Sequence, residues 1–164
     1  MKKLYICMIM VICFVCTVAI AQEKQDKVEE PNLAKIADDL KFQNGLLFIR
    51  LKLQDKAIEE LQEYLEIYND GIHRHEAFRE LAEIYYQRFD FQKAVDVLKG
   101  LHEEFSNTEE GVEAYFRMGI CYKKMGYDAN AQRVFNQIIQ DHPESGYAYQ
   151  AQKQLDLLKI LAEK

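Results

Sequence analysis

The sequence predicts an all-α protein in which three helical hairpins stack in a row and a final helix covers the end of the stack. Two observations support this fold class: apolar residues follow helical spacing, and residues of matching size recur every 37 positions. A single helical hairpin cannot bury its apolar face alone, so repeated hairpins must pack on one another. The predicted architecture is therefore an α-solenoid.

Apolar residues near the end of the chain are spaced as on two consecutive helices. Tyr115, Met118 and Tyr122 fall at positions i, i+3 and i+7, which form one face of an α-helix. A second set with helical spacing follows: Ala131, Val134, Phe135, Ile138 and Ile139. Gly126 lies between the two sets, where glycine can adopt a left-handed conformation in a tight turn. Each unit is therefore predicted to be two antiparallel helices.

Five series of residues recur at intervals of 37. Two series are small: Gly45, Ala82 and Gly119, and then Ala57, Ala94 and Ala131. Three series are large: Phe48, Tyr85 and Tyr122, then Leu61, Leu98 and Phe135, and then Tyr64, Leu101 and Ile138. Small side chains let the two helix backbones approach, and large ones fill the space beside that contact. The repeats are predicted at about residues 38–74, 75–111 and 112–148.

The C-terminal segment predicts a capping helix at about residues 145–163, within a domain that spans residues 33–164. Ala151 and Leu155 continue the apolar pattern of the repeats. The other face of this segment is polar: Gln152, Lys153, Asp156, Lys159 and Glu163. A polar outer face on the last helix keeps the end of a solenoid soluble.

The pattern of small and aromatic residues resembles the tetratricopeptide repeat (TPR). The third unit matches best: Tyr115, Met118, Gly119, Tyr122, Gly126, Ala131, Phe135 and Pro143. The first two units depart from it, because Lys41 stands at an aromatic position and Phe89 replaces the turn glycine. Asn69 and Ser106 stand where the closing proline is usual. The resemblance covers roughly residues 38–164 and implies a right-handed solenoid that binds other proteins.

The links between units resemble those of bacterial envelope repeat proteins. Residues 105–108 and 142–145 occupy equal places in the period, and each ends on a good helix cap, Thr108 or Ser145. The period is similar to that of repeats in the Tol–Pal-associated cell-division coordinator and the outer-membrane assembly lipoprotein. The long coiled coil of the first and the lipid-bearing cysteine of the second have no counterpart here. This resemblance implies an interaction scaffold and leaves the partner open.

The first 21 residues have the layout of a secretory signal peptide. Lys2 and Lys3 precede an uncharged stretch, residues 4–21, and Ala19 and Ala21 are small residues at the positions that a signal peptidase reads. An uncleaved anchor is the alternative, because this stretch has the minimum length for a membrane span.

Residues 22–32 are polar, free of aromatic side chains, and predict a flexible linker. The sequence therefore predicts an exported, periplasmic protein, or one anchored to the inner membrane by its leader.

Charge argues against two classes of partner. The net charge is −6, and removal of the leader with Lys2 and Lys3 brings it to −8. An acidic surface repels phosphate backbones and anionic lipid, so nucleic acid and charged membranes are not expected as partners. Cys121 is the one cysteine outside the leader, which predicts a small buried hydrophobe and no disulfide after cleavage.

No pattern in the sequence predicts catalysis. The four histidines lack further ligands at metal-binding spacing: His73, His75, His102 and His142. Carboxylates fall on helix surfaces, and no glycine-rich phosphate loop or nucleophile motif is present. We therefore expect no enzyme activity, cofactor, metal or small-molecule substrate.

A second stripe on the first helix of each unit predicts a groove for a partner protein. It consists of Phe42, Leu46, Ile49, Arg79, Glu83, Tyr86, Phe116, Ile120 and Lys123. Six of the nine are aliphatic or aromatic, so we expect an apolar peptide segment in this groove, with Arg79 and Lys123 at its polar ends. The alternative is that neighbouring helices or the C-terminal helix cover the stripe as core.

A second functional hypothesis is structural. The chain then self-associates into a homo-oligomer through its exposed end units or its acidic convex face, or serves as a non-catalytic subunit of a larger complex.

Overall fold

The computed structural model describes residues 32–163, and this part of the chain contains helices and no strands. The seven helices are α1 Leu33–Arg50, α2 Gln54–Ile67, α3 Arg74–Gln87, α4 Phe91–Glu104, α5 Glu109–Lys124, α6 Asp128–Asp141 and α7 Gly146–Ala162. The all-α prediction is confirmed. The predicted signal peptide, and all of the predicted linker except Asn32, lie outside the described residues. Among the described helices, none is both long enough and apolar enough to cross a bilayer.

Glycine brings the two helices of the first and third hairpins into direct contact. A Cβ added at Gly45 on α1 would lie 2.8 Å from Leu61 Cδ2 on α2. A Cβ added at Gly119 on α5 would lie 2.5 Å from Phe135 Cε1 on α6. Both distances are shorter than van der Waals contact, so the side chain of the second helix rests on the backbone of the first.

The three turns within the hairpins share one backbone conformation. Lys52, Phe89 and Gly126, which are 37 residues apart, have φ angles of 59°, 62° and 76°. A left-handed residue at this place ends one helix and lets the chain reverse. The links between hairpins use caps instead, since Thr108 and Ser145 accept hydrogen bonds from Gly111 N–H (3.3 Å) and Tyr147 N–H (3.1 Å).

The buried residues form two clusters that meet at α5. The first cluster joins the first two hairpins to one face of α5, which contributes Ala114, Met118 and Cys121. The second cluster joins α6 and α7 to another face of α5, which contributes Val112 and Phe116. Because α5 is buried on two faces, it is the element that connects the two halves of the solenoid.

The two ends of the solenoid differ. On α1, Leu40 and Leu47 are exposed, although the equivalent residues of α5, Ala114 and Cys121, are buried by the preceding hairpin. On α7, the positions that would contact a following helix are polar and mostly exposed: Gln152, Asp156 and Lys159. The predicted polar face is therefore present, but α7 also exposes apolar side chains that the sequence reading did not expect: Tyr149, Leu157, Ile160 and Leu161.

Candidate protein-binding groove

A cleft lies between α3 and α5, with α4 beneath it. One part has a volume of about 190 Å³ and is mainly apolar: Ala82, Tyr86, Leu98, Arg117, Ile120 and Cys121. The adjoining part is a narrow crevice of about 10 Å³, and most of the side chains that line it are titratable: His75, Arg79, Leu98, Leu101, Glu110, Glu113, Ala114 and Arg117. Leu98 and Arg117 line both parts, so the two form one continuous groove.

An ion pair crosses the groove between its two parts. The Arg117 guanidinium on α5 donates to the Glu83 carboxylate on α3, and its other terminal nitrogen lies 4.0 Å from Glu113 Oε1. The side chains of Arg117 and Glu83 are 23% and 39% exposed, so the pair is partly shielded from water. It ties the first helices of consecutive hairpins together and places charge midway along the cleft.

Two of the predicted groove residues are core, which corrects the prediction of an exposed stripe. Phe42 is 3% exposed and stacks on the His73 ring, with centroids 4.5 Å apart. Phe116 is 9% exposed and lies between Phe135 and Tyr147, each with centroids 5.6 Å away. The link before α3 covers the first ring, and α7 covers the second.

Only some of the other predicted groove residues line this cleft. Arg79, Tyr86 and Ile120 line the α3–α5 cleft, and Glu83 lies between them. Leu46 and Ile49 of α1 are half-buried against the first cluster and line neither part of this cleft. The Lys123 ammonium donates to the Gln154 side chain of α7, so it is directed toward the last helix. The charged α5 residues of the cleft were missed from the sequence, namely Arg117, Glu113 and Glu110, because their position beside α3 depends on how consecutive hairpins stack.

The two parts of the groove differ in charge. A hydrogen bond from its own backbone N–H, and a second from the Thr108 hydroxyl, lower the pKa of Glu110, helped by the nearby His75 and Arg79. Among the described residues, no carboxylate lies within 4 Å of the Arg79 guanidinium, which is exposed. At the apolar end, burial raises the pKa of the Cys121 thiol to about 11, so this floor is neutral.

The site offers no arrangement of ligands for a metal. Within residues 32–163, no group of three or more His, Cys, Asp or Glu side chains is close enough together to hold an ion. The groove combines an apolar pocket, an exposed cation and a fixed ion pair between them.

The sequence profile of the tetratricopeptide repeat matches residues 76–108 and 113–145. These segments coincide with the second and third hairpins. No curated protein sequence gives a significant match.

Several solved structures have a similar fold. The N-terminal domain of stress-induced protein-1 from C. elegans is 15% identical, with a TM-score of 0.62 over 74% of this chain and 97% of that domain. The Arabidopsis OM64 TPR domain is 17% identical, with a TM-score of 0.56 over 74% of this chain and 96% of the other.

The TPR2AB domain of yeast Sti1, solved as a complex with pHSP90, is 18% identical, with a TM-score of 0.58 over 77% of this chain and 50% of the other. At these identities the likeness concerns the fold alone, and the narrower resemblance to envelope repeats stays a prediction. The profile match identifies residues 76–108 and 113–145 as tetratricopeptide repeats, and the structural neighbours share the all-α helical-repeat fold of this chain.

Proposed function

We propose that this protein is a non-catalytic adaptor that binds a segment of a partner polypeptide in the α3–α5 cleft. The observation that carries the proposal is the cleft itself, where an apolar pocket at Tyr86 and Ile120 adjoins a charged part that contains the exposed cation Arg79. Tetratricopeptide repeats are protein-interaction modules, and the similar domain of yeast Sti1 was solved in complex with pHSP90. Both support a protein-binding role for this chain.

The geometry of the cleft defines the expected ligand. Arg79 and Tyr86 are seven residues apart on one helix, which corresponds to about 10 Å along its axis. An extended segment covers that distance in about three residues. The ligand is therefore a peptide with a carboxylate near Arg79 and a large apolar side chain, about three residues away, between Tyr86 and Ile120.

Selection from a random peptide library on the purified full chain tests this proposal. We expect enriched peptides to combine an acidic and a large apolar residue at the stated spacing. Ile120→Asp should weaken their binding by about 10- to 100-fold, because a large apolar side chain loses its pocket. Arg79→Glu should remove the preference for the acidic residue.

Two matched variants serve as controls. Ile67→Asp places the same charge at an exposed aliphatic position on α2, and Arg133→Glu reverses an exposed cation on α6. Both should bind selected peptides as the unmodified protein does. Equal binding by all four variants, with helical content unchanged by circular dichroism, would place the binding site elsewhere.

The location of the protein is a separate proposal, supported by the uncharged leader that follows Lys2 and Lys3. We infer that the adaptor acts outside the cytoplasmic membrane, in the periplasm. The N-terminal sequence of the protein isolated from cells tests this: a start at Gln22 fits cleavage and export, an intact leader in the membrane fraction fits the anchor, and an intact leader in the cytosol contradicts both.

A second candidate function, self-association, has one observation in its favour. The exposed stripe on α1, with Leu33, Ile36, Leu40 and Leu47, includes the positions that the preceding hairpin covers on α3 and α5. A second copy could cover it. Sedimentation at increasing concentration would then reveal a dimer that Leu40→Asp abolishes, while a monomer at all concentrations would leave the adaptor as the sole candidate.

A further inference from the structure

One edge of the solenoid is formed by all three turns within the hairpins. Helices α1, α3, α5 and α7 run in the same direction, because each is separated from the next by one antiparallel helix. Their C-terminal ends, and the turns that follow three of them, therefore lie together. Arg88 Nη1 and Asp55 Oδ1, 2.5 Å apart, join the first two turns directly. We call residues 50–56, 87–93, 124–130 and 159–163 the turn edge.

The turn edge carries exposed apolar side chains from each of its segments. They are Leu51, Leu53, Phe89, Tyr127, Ile160 and Leu161. Phe89 is 78% exposed, the highest value among the large apolar residues described. None of these six side chains belongs to either core cluster or packs against one. The fold does not account for their apolar character.

Phe89 is also in a backbone conformation that an aromatic residue rarely adopts. Its φ angle is 62°, and the equivalent position in the third turn is Gly126. The ring makes one edge-to-face contact, with Phe91, at a centroid distance of 6.0 Å. Glycine would satisfy this backbone better, so the exposed ring calls for an explanation outside the fold.

The charge of the turn edge is opposite to that of the rest of the chain. Seven exposed cations belong to it: Arg50, Lys52, Lys56, Arg88, Lys93, Lys124 and Lys159. With four acidic residues, its net charge is +3, in a chain whose total is −6. The opposite edge, residues 67–73, 104–110 and 141–146, holds six acidic residues and no lysine or arginine. We call it the acidic edge. The molecule is therefore strongly polarised from one edge to the other.

We propose that the turn edge docks on an anionic lipid surface, with Phe89 and its apolar neighbours in the interface and the surrounding lysines and arginines on the headgroups. Apolar side chains surrounded by cations match such an interface in both hydrophobic and electrostatic terms. The acidic edge then faces away from the lipid. The total charge of the chain argues against an anionic lipid partner. Salt screens charges separated by more than roughly 10 Å, however, so the charge of the turn edge itself determines the interaction. This role is independent of peptide binding in the cleft.

The absence of tryptophan from the chain permits a direct test. Phe89→Trp places a single fluorophore on the turn edge, and Ile72→Trp places one at an exposed position on the acidic edge. The full-length variants are mixed with vesicles of equimolar phosphatidylcholine and phosphatidylglycerol. We expect the Phe89→Trp emission to move to shorter wavelength and to be quenched by brominated lipid, while the Ile72→Trp emission stays unchanged.

This comparison holds even if the leader tethers the chain to vesicles, because both variants carry the same leader. Vesicles of phosphatidylcholine alone should give no shift with either variant. In the Phe89→Trp background, Lys52→Gln with Lys124→Gln should raise the lipid concentration at half-maximal shift about 30-fold, since each cation near an anionic surface contributes about a factor of five. Lys99→Gln with Lys153→Gln, which lie outside the turn edge, should leave it unchanged.

Several outcomes overturn the proposal. One is an unshifted Phe89→Trp emission on anionic vesicles, as expected if the turn edge serves an acidic protein instead. Another is an equal shift for Ile72→Trp, and a third is a shift that does not depend on anionic lipid. If Phe89→Trp does not fold, Tyr127→Trp on the third turn is the substitute probe, with the same expected shift and the same grounds for rejection.

Discussion

The first and third hairpins place different chemistry at the same two positions. In the third hairpin, Val112 on α5 and Ile138 on α6 belong to the apolar core. The equivalent residues of the first hairpin, 74 positions earlier, are Asp38 and Tyr64. Both are also buried, at 5% and 0% exposure, and the Tyr64 hydroxyl donates to Asp38 Oδ1 at 2.5 Å. The repeat thus determines which positions are buried, and a buried polar pair can replace a buried apolar pair.

The polar pair also organises the link that follows it. Asp38 Oδ2 accepts a hydrogen bond from Ile72 N–H at 2.9 Å, and the Tyr64 oxygen accepts one from His73 N–H at 3.1 Å. Burial, with the bond to Asp38, raises the pKa of Tyr64, so its hydroxyl remains a donor. The link between α2 and α3 is longer than the other two links between hairpins, and these bonds hold it in place.

Asp38→Ala should have the largest effect on stability. It leaves the Tyr64 hydroxyl and the Ile72 N–H without acceptors, at a cost of about 3 kcal/mol in the free energy of unfolding. Ile138→Val in the third hairpin removes one methylene and should cost about 1 kcal/mol. Urea unfolding followed by circular dichroism measures both.

The double variant Asp38→Val, Tyr64→Ile copies the third hairpin into the first. Removing both partners of a buried polar pair costs less than removing one. We therefore expect it to be more stable than Asp38→Ala. If it is less stable, the bonds to the link dominate, and the two hairpins are not interchangeable at these positions.

Gly119 and Gly45 contact different kinds of side chain on the second helix of their hairpins. Gly119→Ala would push a Cβ into the Phe135 ring, which is fully buried and cannot move aside, and should cost about 2 kcal/mol. Gly45→Ala would meet the end of the flexible Leu61 side chain. The gain in helix propensity then offsets most of the strain, for a net change within about 0.5 kcal/mol. Equal losses in urea unfolding would contradict this distinction.

The helical hairpins and their contacts could be predicted because they rest on local spacing and on series of 37 residues. The burial of Phe42 and Phe116 could not, because periodicity does not reveal what covers a helix face from outside the hairpin. His73 lies on the ring of Phe42, and Tyr147 on that of Phe116. The burial of Asp38 could have been predicted, because Asp38 is equivalent in the repeat to the apolar residue Val112.

The cleft residue Arg117 was missed for a related reason. Its partner Glu83 lies 34 residues earlier, on the preceding hairpin. An ion pair of this kind depends on the stagger between stacked helices, which the sequence does not give. Its partial exposure also limits what it contributes to stability, so its main role is to set the charge along the cleft.

The three turns allow a test of smaller effects. Gly126→Ala places a Cβ at a φ angle of 76° without any steric contact to neighbouring atoms, and should cost about 1 kcal/mol from backbone strain alone. Lys52→Gly relieves the same strain in the first turn and should stabilise the protein by up to about 1 kcal/mol. Opposite shifts in the urea midpoint support this explanation. A loss from Lys52→Gly would mean that the lysine side chain outweighs the strain.

Cys121 should give the smallest effect, and only at alkaline pH. Burial raises the pKa of its thiol from 9.0 to about 11, so the folded state keeps a proton that the unfolded state loses. The resulting stability is complete below pH 9 and is lost as the pH rises toward 11. At pH 9.5 the loss should be below about 1 kcal/mol.

Cys121→Ala isolates this contribution from that of the tyrosines, several of which also have raised pKa values. The difference in unfolding free energy between the two proteins should shrink between pH 8 and pH 10. A constant difference would mean that the thiol titrates alike in both states. α5 would then open to solvent more readily than its two buried faces indicate, and the floor of the cleft would be less rigid than a preformed peptide site requires.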